Sequence, residues 1–315
     1  MAIDKNKHLE CVLKSHNIEN NEELMSAYRN KRDEVREDLK SKFGDEIYRI
    51  LHSGSYKKKT AVNIKFDMDL VVPFKKDGAD TLENIFNVLY KYFNEEYRKK
   101  DSTLLEVKKQ KIAIGLVFLV DSQMLYLDIV PGREVNDYDE DGNLNVYVND
   151  TMGAIAKSTY IKTNIQKQID NIRNNSLARE SMKLMKVWKR RNNGQMKSIV
   201  LELISVKALE NYTGATDRWS RLKYVLEYIR DNIKTITLID PGNSNNIVSD
   251  TLDDFQKENI SDAMKWILEN IERNDQSIET YFPINKDYPC EEGKTSAYIV
   301  GSSAKADRLN NEDFG

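Results

Sequence analysis

Histidine and cysteine are scarce in these 315 residues: three His (His8, His16, His52) and two Cys (Cys11, Cys290). That supply argues against a zinc centre built from His and Cys. The two cysteines stand far apart and make no CxxC spacing, so no disulfide framework is expected and a reducing cytoplasm fits. No apolar run approaches the roughly 20 residues of a membrane-spanning helix. The opening stretch MAIDKNKHLE lacks the apolar core of a secretory signal. A basic excess is missing too. The formal net charge is -3, which demands no nucleic-acid partner.

What is present is the composition of a soluble globular chain, 40% hydrophobic and 31% charged. Asn21 is placed to cap a long amphipathic helix over Glu22–Lys42 that Gly44 ends. The apolar run Ile47–Leu51 leads into a turn, His52-Ser53-Gly54-Ser55. Asp69–Phe74 reads as a buried strand, Thr81–Tyr97 as a helix, and Lys111–Val120 and Leu125–Val130 as two further strands. A hairpin around Asp141-Gly142 leads to Val146 and Val148. From about Thr159 strand signals end and helical periodicity takes over, over Ser176–Arg191, Ser198–Tyr212, Asp217–Ile233 and Asn259–Arg273. Trp188, Trp219 and Trp266 fall at core-like positions of these helices. The expectation is an α+β half followed by a helical half.

Three carboxylates carry the chemistry. Asp67 and Asp69 are two apart, and in a strand such residues project to the same side. Asp128 lies in another apolar strand, Leu125–Val130. Neighbouring strands would bring the three together, where they repel one another unless something offsets their charge. Mg²⁺ (or Mn²⁺) does so, because it prefers oxygen ligands and is shared between carboxylates and substrate phosphates. Two such ions can serve an in-line displacement at phosphorus. Eleven residues separate Gly54-Ser55 from Asp67. Gly54 and Ser55 offer backbone N–H groups and a hydroxyl to phosphate oxygens.

The set Gly54-Ser55, Asp67-Met68-Asp69 and a later strand Asp128 resembles the motifs of DNA polymerase β-like nucleotidyltransferases. Its extended form, GSYKKKT before DMD, resembles the CD-NTase family, which includes bacterial relatives of cyclic GMP-AMP synthase and oligoadenylate synthetases. The resemblance implies that Asp67, Asp69 and Asp128 bind the metals and that Gly54 and Ser55 hold the incoming triphosphate. SMKLMKVWK is similar to a family helix whose lysine contacts the triphosphate, which carries that role to Lys186. SIVLEL resembles the next helix, whose opening serine touches phosphate, which points to Ser198. IDPGNSNNI, from Ile239 to Ile247, is similar to the DP…NN signature before the last core helix. No His/Cys insertion of the animal enzymes is present. The implied organisation is a nucleotidyltransferase core with N-terminal helices over 1–158, a helical domain over 159–282 that completes the nucleotide cleft, and a tail over 283–315.

The implied activity is synthesis of a cyclic di- or trinucleotide from NTPs, with a role in the anti-phage system CBASS. There a ubiquitin-like ligase joins the synthase C-terminus to a target, which makes Gly315 a candidate conjugation point. The alternatives are a linear oligonucleotide maker, a tRNA or protein nucleotidyltransferase, or an inactive nucleotide-binding regulator. The acidic balance weighs against extended RNA binding, and the complete Asp triad weighs against the regulator. Lys57, Lys58 and Lys59 fit a solvated loop as well as a phosphate contact. Ser198 fits a helix cap as well as a ligand. Asp137–Gly142 begins like a calcium loop but has Val148 where the final Glu belongs. Gly293-Lys294-Thr295 mimics a P-loop end without its first glycine.

Overall fold

The computed structural model describes residues 3–77, 81–149 and 160–290. The tail from 291, with Gly315, and Gly293-Lys294-Thr295 lie outside them. The chain opens with α1 (Lys5–Ser15) and α2 (Glu22–Phe43). As its capping signals predict, α2 starts where Asn21 accepts from Leu24 N at 2.9 Å and stops at Gly44, φ 46°. Next come β1 (Leu51–Ser53) and a single turn of helix, α3 (Gly54–Lys57). The expected turn at 52–55 is therefore the end of a strand running straight into a helix. β2 (Met68–Phe74), α4 (Leu82–Lys91), a π-turn over Tyr92–Tyr97 and α5 (Arg98–Lys100) follow.

Three strands complete the centre of the sheet: β3 (Leu104–Lys109), β4 (Ile114–Val120) and β5 (Gln123–Glu134). A helical turn, α6 (Tyr138–Asp141), leads through the left-handed Gly142 to β6 (Leu144–Tyr147), and β7 (Tyr160–Thr163) pairs with β6. The strand order is β1-β2-β5-β4-β3, with β6 on β5. β2 and β5 are parallel, and the other pairs are antiparallel. β3 and β7 overturn the expected strand list, including its end at Thr159. Sequence gave them little signal, because LLEVKK and YIKT mix charge with few apolar positions.

Side-chain alternation sorts the two faces of this sheet. Met68, Leu70, Val72 and Phe74 of β2, Leu125, Leu127 and Ile129 of β5, and Ile114, Leu116 and Phe118 of β4 are buried in one core. α2 and α4 cover that face through Val35, Leu39, Phe43, Ile85, Phe86 and Leu89. Phe86 is fully buried there, and truncating it to Ala would cost about 3–5 kcal/mol. The alternate positions, Asp69 and Asp128 among them, face the other way.

The second half comprises α7 (Ile165–Arg173), α8 (Ser176–Arg191), α9 (Ser198–Leu209) and α10 (Arg218–Asn232). After them come a hairpin of β8 (Ile239–Asp240) and β9 (Asn243–Ile247), then α11 (Asp254–Arg273) and α12 (Ile278–Tyr281). α11 begins before the expected Asn259, at a capping box made by Asp253 and Gln256. α1 shares the core of this half through Leu9 and Val12. Of the tryptophans, Trp188 is buried and Trp219 packs against this core, but Trp266 is 56% exposed and corrects the expectation of a packing role. A larger correction concerns the cysteines. The segment after α12 returns to α1, where His8 Nε2 meets Phe282 O at 2.8 Å. That return brings Cys11 and Cys290 into a disulfide across 279 positions. Separation along the chain carried no information about distance in space, so cysteine usage does not argue for a reducing compartment. No helix among the described residues is long and apolar enough to cross a membrane.

Candidate active site

The parallel pairing of β2 with β5 sets Asp69 directly opposite Asp128 in register. Asp67 stands one residue before β2, two from Asp69. The sheet thus brings together the three carboxylates that the sequence singles out. Burial is the largest influence on Asp69 and pushes its carboxyl up to about 8. Asp67 adds to the rise, and Lys58 and Lys186 oppose it. Asp128 is also held well above the usual carboxylate range, first by burial and then by Asp67 and Asp69. Among the described residues no three acidic, His or Cys side chains are placed to hold a metal ion as they stand. Asp128 Oδ1 accepts from Gln110 Nε2 at 2.9 Å, and Asp69 leans over Gly54. The donor set nonetheless fits a hard divalent cation, since buried carboxylates that resist ionisation are what such a cation would stabilise.

Gly54 is required by this geometry. Its φ is +65°, and a Cβ would lie 1.6 Å from Asp69 Oδ2. The residue is a glycine because the backbone is left-handed and because the carboxylate occupies the space of a side chain. Ser55 follows in the first turn of α3, which Ser53 precedes as register partner of Asp69 on β1. The Gly-Ser turn and the carboxylates are therefore neighbours through the β1–β2 pair.

The three lysines after Tyr56 separate. Lys57 and Lys59 are exposed, whereas Lys58 is buried and donates to Glu202 Oε1 of α9 at 2.9 Å. Lys186 reaches the same region from α8. Its Nζ donates to Thr60 O at 3.1 Å and to Thr60 Oγ1 at 3.3 Å. Burial lowers its ammonium to about 8, while Glu202 and Asp67 favour the charged form. Ser198 opens α9 as its first residue, but Lys197 holds the cap position, so Ser198 does not cap the helix. Asp240 of the DP…NN segment is buried and accepts from Gln168 Nε2, Gly242 N and Asn246 Nδ2, at 3.0, 2.8 and 3.2 Å. It organises the β8–β9 turn. Gln110 belongs to no motif, and Thr60 and Glu202, though they lie inside GSYKKKT and SIVLEL, had no role assigned from sequence, because only the tertiary fold brings these residues to the carboxylates or the lysines.

No family model and no curated protein matches the chain. Solved structures do. The fold is the α+β nucleotidyltransferase fold of the CD-NTases. Escherichia coli MS115-1 CdnC, solved with ATP, superposes with a TM-score of 0.70 at 19% identity, covering 90% of this chain and 99% of that one. Bradyrhizobium diazoefficiens CdnG, a CD-NTase solved with GTP, gives 0.66 at 13% identity, covering 88% and 95%. Vibrio cholerae DncV, a cyclic AMP-GMP synthase solved with the linear intermediate pppA(3′,5′)pG, gives 0.59 at 14% identity, covering 77% and 69%.

Proposed function

We propose that this chain is a metal-dependent nucleotidyltransferase that joins NTPs into a cyclic di- or trinucleotide and releases pyrophosphate, in bacterial anti-phage signalling. The observation that carries the reading is the in-register pairing of Asp69 with Asp128, with Asp67 alongside and Gly54 against the Asp69 carboxylate. The structural neighbours bind ATP or GTP, and one is a synthase caught with a linear intermediate.

In this reading Asp67 and Asp69 would hold two Mg²⁺ or Mn²⁺ ions, and Asp128 would complete one of the sites. The bound ions would supply charge stabilisation to the phosphoryl group and its leaving oxygen. Gly54 N–H and the Ser55 hydroxyl bind the triphosphate, and Lys186 and Ser198 contact it from the helical half. A ribose hydroxyl of one nucleotide, which a cation held at Asp128 would make more acidic, gives up its proton to water and attacks the α-phosphorus of the next. The new oxygen–phosphorus bond forms as the bond to the β-phosphate oxygen breaks, and pyrophosphate departs. Repetition within the linear product closes the ring. No covalent enzyme intermediate is needed.

The test is incubation of the purified chain with labelled NTPs and Mg²⁺ or Mn²⁺, then phosphatase treatment and mass spectrometry. A phosphatase-resistant product with the mass of a closed ring is expected. A product that loses its terminal phosphates would instead make the chain a linear-product transferase. Absence of any NTP turnover would remove the enzymatic reading in favour of a nucleotide-binding regulator.

A further inference from the structure

Gln110 lies in the tight turn between β3 and β4, and its Nε2 donates to Asp128 Oδ1 at 2.9 Å. We propose that Gln110 is a positioning residue for Asp128, whose amide occupies one carboxylate oxygen and leaves the other for a cation. The inference rests on the metal-dependent reading above.

The space between the two side chains is reserved. Gly115 is the register partner of Asp128 on β4. A Cβ at Gly115 would lie 2.5 Å from Gln110 Nε2 and 3.3 Å from Asp128 Oδ1. The amide reaches the carboxylate through the volume that any other residue would fill.

The turn is also held from two sides. Gln110 N donates to Ala113 O at 2.8 Å, and Asn149 N donates to Lys111 O at 2.7 Å. Asn149 Nδ2 donates to Gln110 O at 3.2 Å. A side chain on so constrained a backbone can fix its target's rotamer.

The chemistry of the contact sets its direction. With a cation bound, Asp128 is ionised and only accepts hydrogen bonds, so the amide must present its N–H group. Gln110 Oε1 is then left buried with no hydrogen-bond partner among the described residues. An unpaired buried acceptor is unfavourable, and a residue placed only to fill space would not need one. The hydrogen bond to the carboxylate explains why an amide is present.

Mn²⁺ serves as the probe, with free Mn²⁺ read by electron paramagnetic resonance on the purified full chain without turnover. Gln110→Ala is expected to weaken Mn²⁺ binding by about 10-fold or more, as loss of a group that orients a metal ligand does. At saturating Mn²⁺ its KM for NTP should stay close to that of the wild type. Gly115→Ala should reproduce the loss, because it displaces the amide without changing its chemistry. Thermal melts in EDTA identify any variant that fails to fold. Unchanged Mn²⁺ affinity in folded Gln110→Ala, with binding lost in Asp128→Asn, would overturn the role of Gln110 and leave the transferase reading intact. Wild-type Mn²⁺ affinity in Asp128→Asn would overturn both.

Discussion

Lys58 and Glu202, 144 positions apart, form an ion pair of 2.9 Å between the turn that follows Gly54-Ser55 and helix α9. Their side chains are only 11% and 5% exposed. The pair fastens the Gly-Ser segment to the helical half. It also sits in the field that sets Lys186, which Glu202 stabilises as a cation and Lys58 opposes. A charge run that fits a solvated loop by composition thus contributes its middle member to an interior contact.

Removing one partner should therefore be worse than removing both. Glu202→Gln strands a buried ammonium, and a loss of about 3–5 kcal/mol is expected from breaking such a pair. Lys58→Met combined with Glu202→Leu should regain most of that loss, because neither charge is left desolvated. Urea denaturation of the two variants checks the ordering. Equal stability of Glu202→Gln and wild type would mean that Lys58 finds water or another partner.

Gly54→Ala should act through Asp69. The new methyl would meet Asp69 Oδ2 at 1.6 Å, so either the carboxylate or the turn must move. A stability loss of about 1–3 kcal/mol is expected, from the strained φ and the displaced contact. NTP turnover should fall to background. Adding Asp69→Ala to Gly54→Ala should recover stability without activity. If the double variant is no more stable than Gly54→Ala alone, the clash is not the cause.

The triad also sets a pH dependence for the metal-free protein. Asp69 has its carboxyl raised to about 8 from an ordinary value of 3.8. A raised carboxyl contributes stability that is fully present below 3.8 and lost as pH rises through about 8. In EDTA, melting temperature should therefore fall from about pH 4 to about pH 8 and level off above that, and Asp69→Asn should lessen the fall. Mg²⁺ at about 100 times its dissociation constant should add about 2.7 kcal/mol to the wild type. Asp67→Asn with Asp69→Asn should lose both that gain and all product while remaining folded. Full activity in this double variant would rule out the assigned triad.

Much of this fold is legible in local signals. Asn21 and Gly44 bound α2, and the apolar residues around Asp69 and Asp128 mark β2 and β5. What pattern alone leaves open is which strands are neighbours. The parallel β2–β5 pairing is set by packing of the whole sheet on α2 and α4, and only that pairing brings two separate acidic motifs together. The same limit hid Gln110, a polar residue among lysines whose meaning comes from Gly115 across the turn. It also hid the Cys11–Cys290 pair, joined only because the segment after Phe282 returns to α1.

Lys186 provides a test that separates charge from packing. Its ammonium is lowered to about 8 by burial, so raising pH from 7 to 9 removes the proton from most molecules in the free protein. A neutral amine cannot make a charge-assisted contact with a triphosphate. Apparent NTP affinity should therefore decline as pH rises through about 8. Lys186→Ala should already lack the contact at pH 7, with dissociation constants raised about 10- to 100-fold, the equivalent of a hydrogen bond to a charged group. Lys186→Arg keeps its charge throughout this range. Asp69 also loses its proton over the same interval and would favour cation binding, so the metal must be held saturating. The ratio of wild-type to arginine-variant affinity then isolates the lysine. That ratio should fall with rising pH even if the bulkier arginine binds more weakly at every point. Parallel pH profiles for the two proteins would show that the lysine proton plays no part in holding the nucleotide. Lys186 would then be a residue that braces Thr60, through the contacts at 3.1 and 3.3 Å.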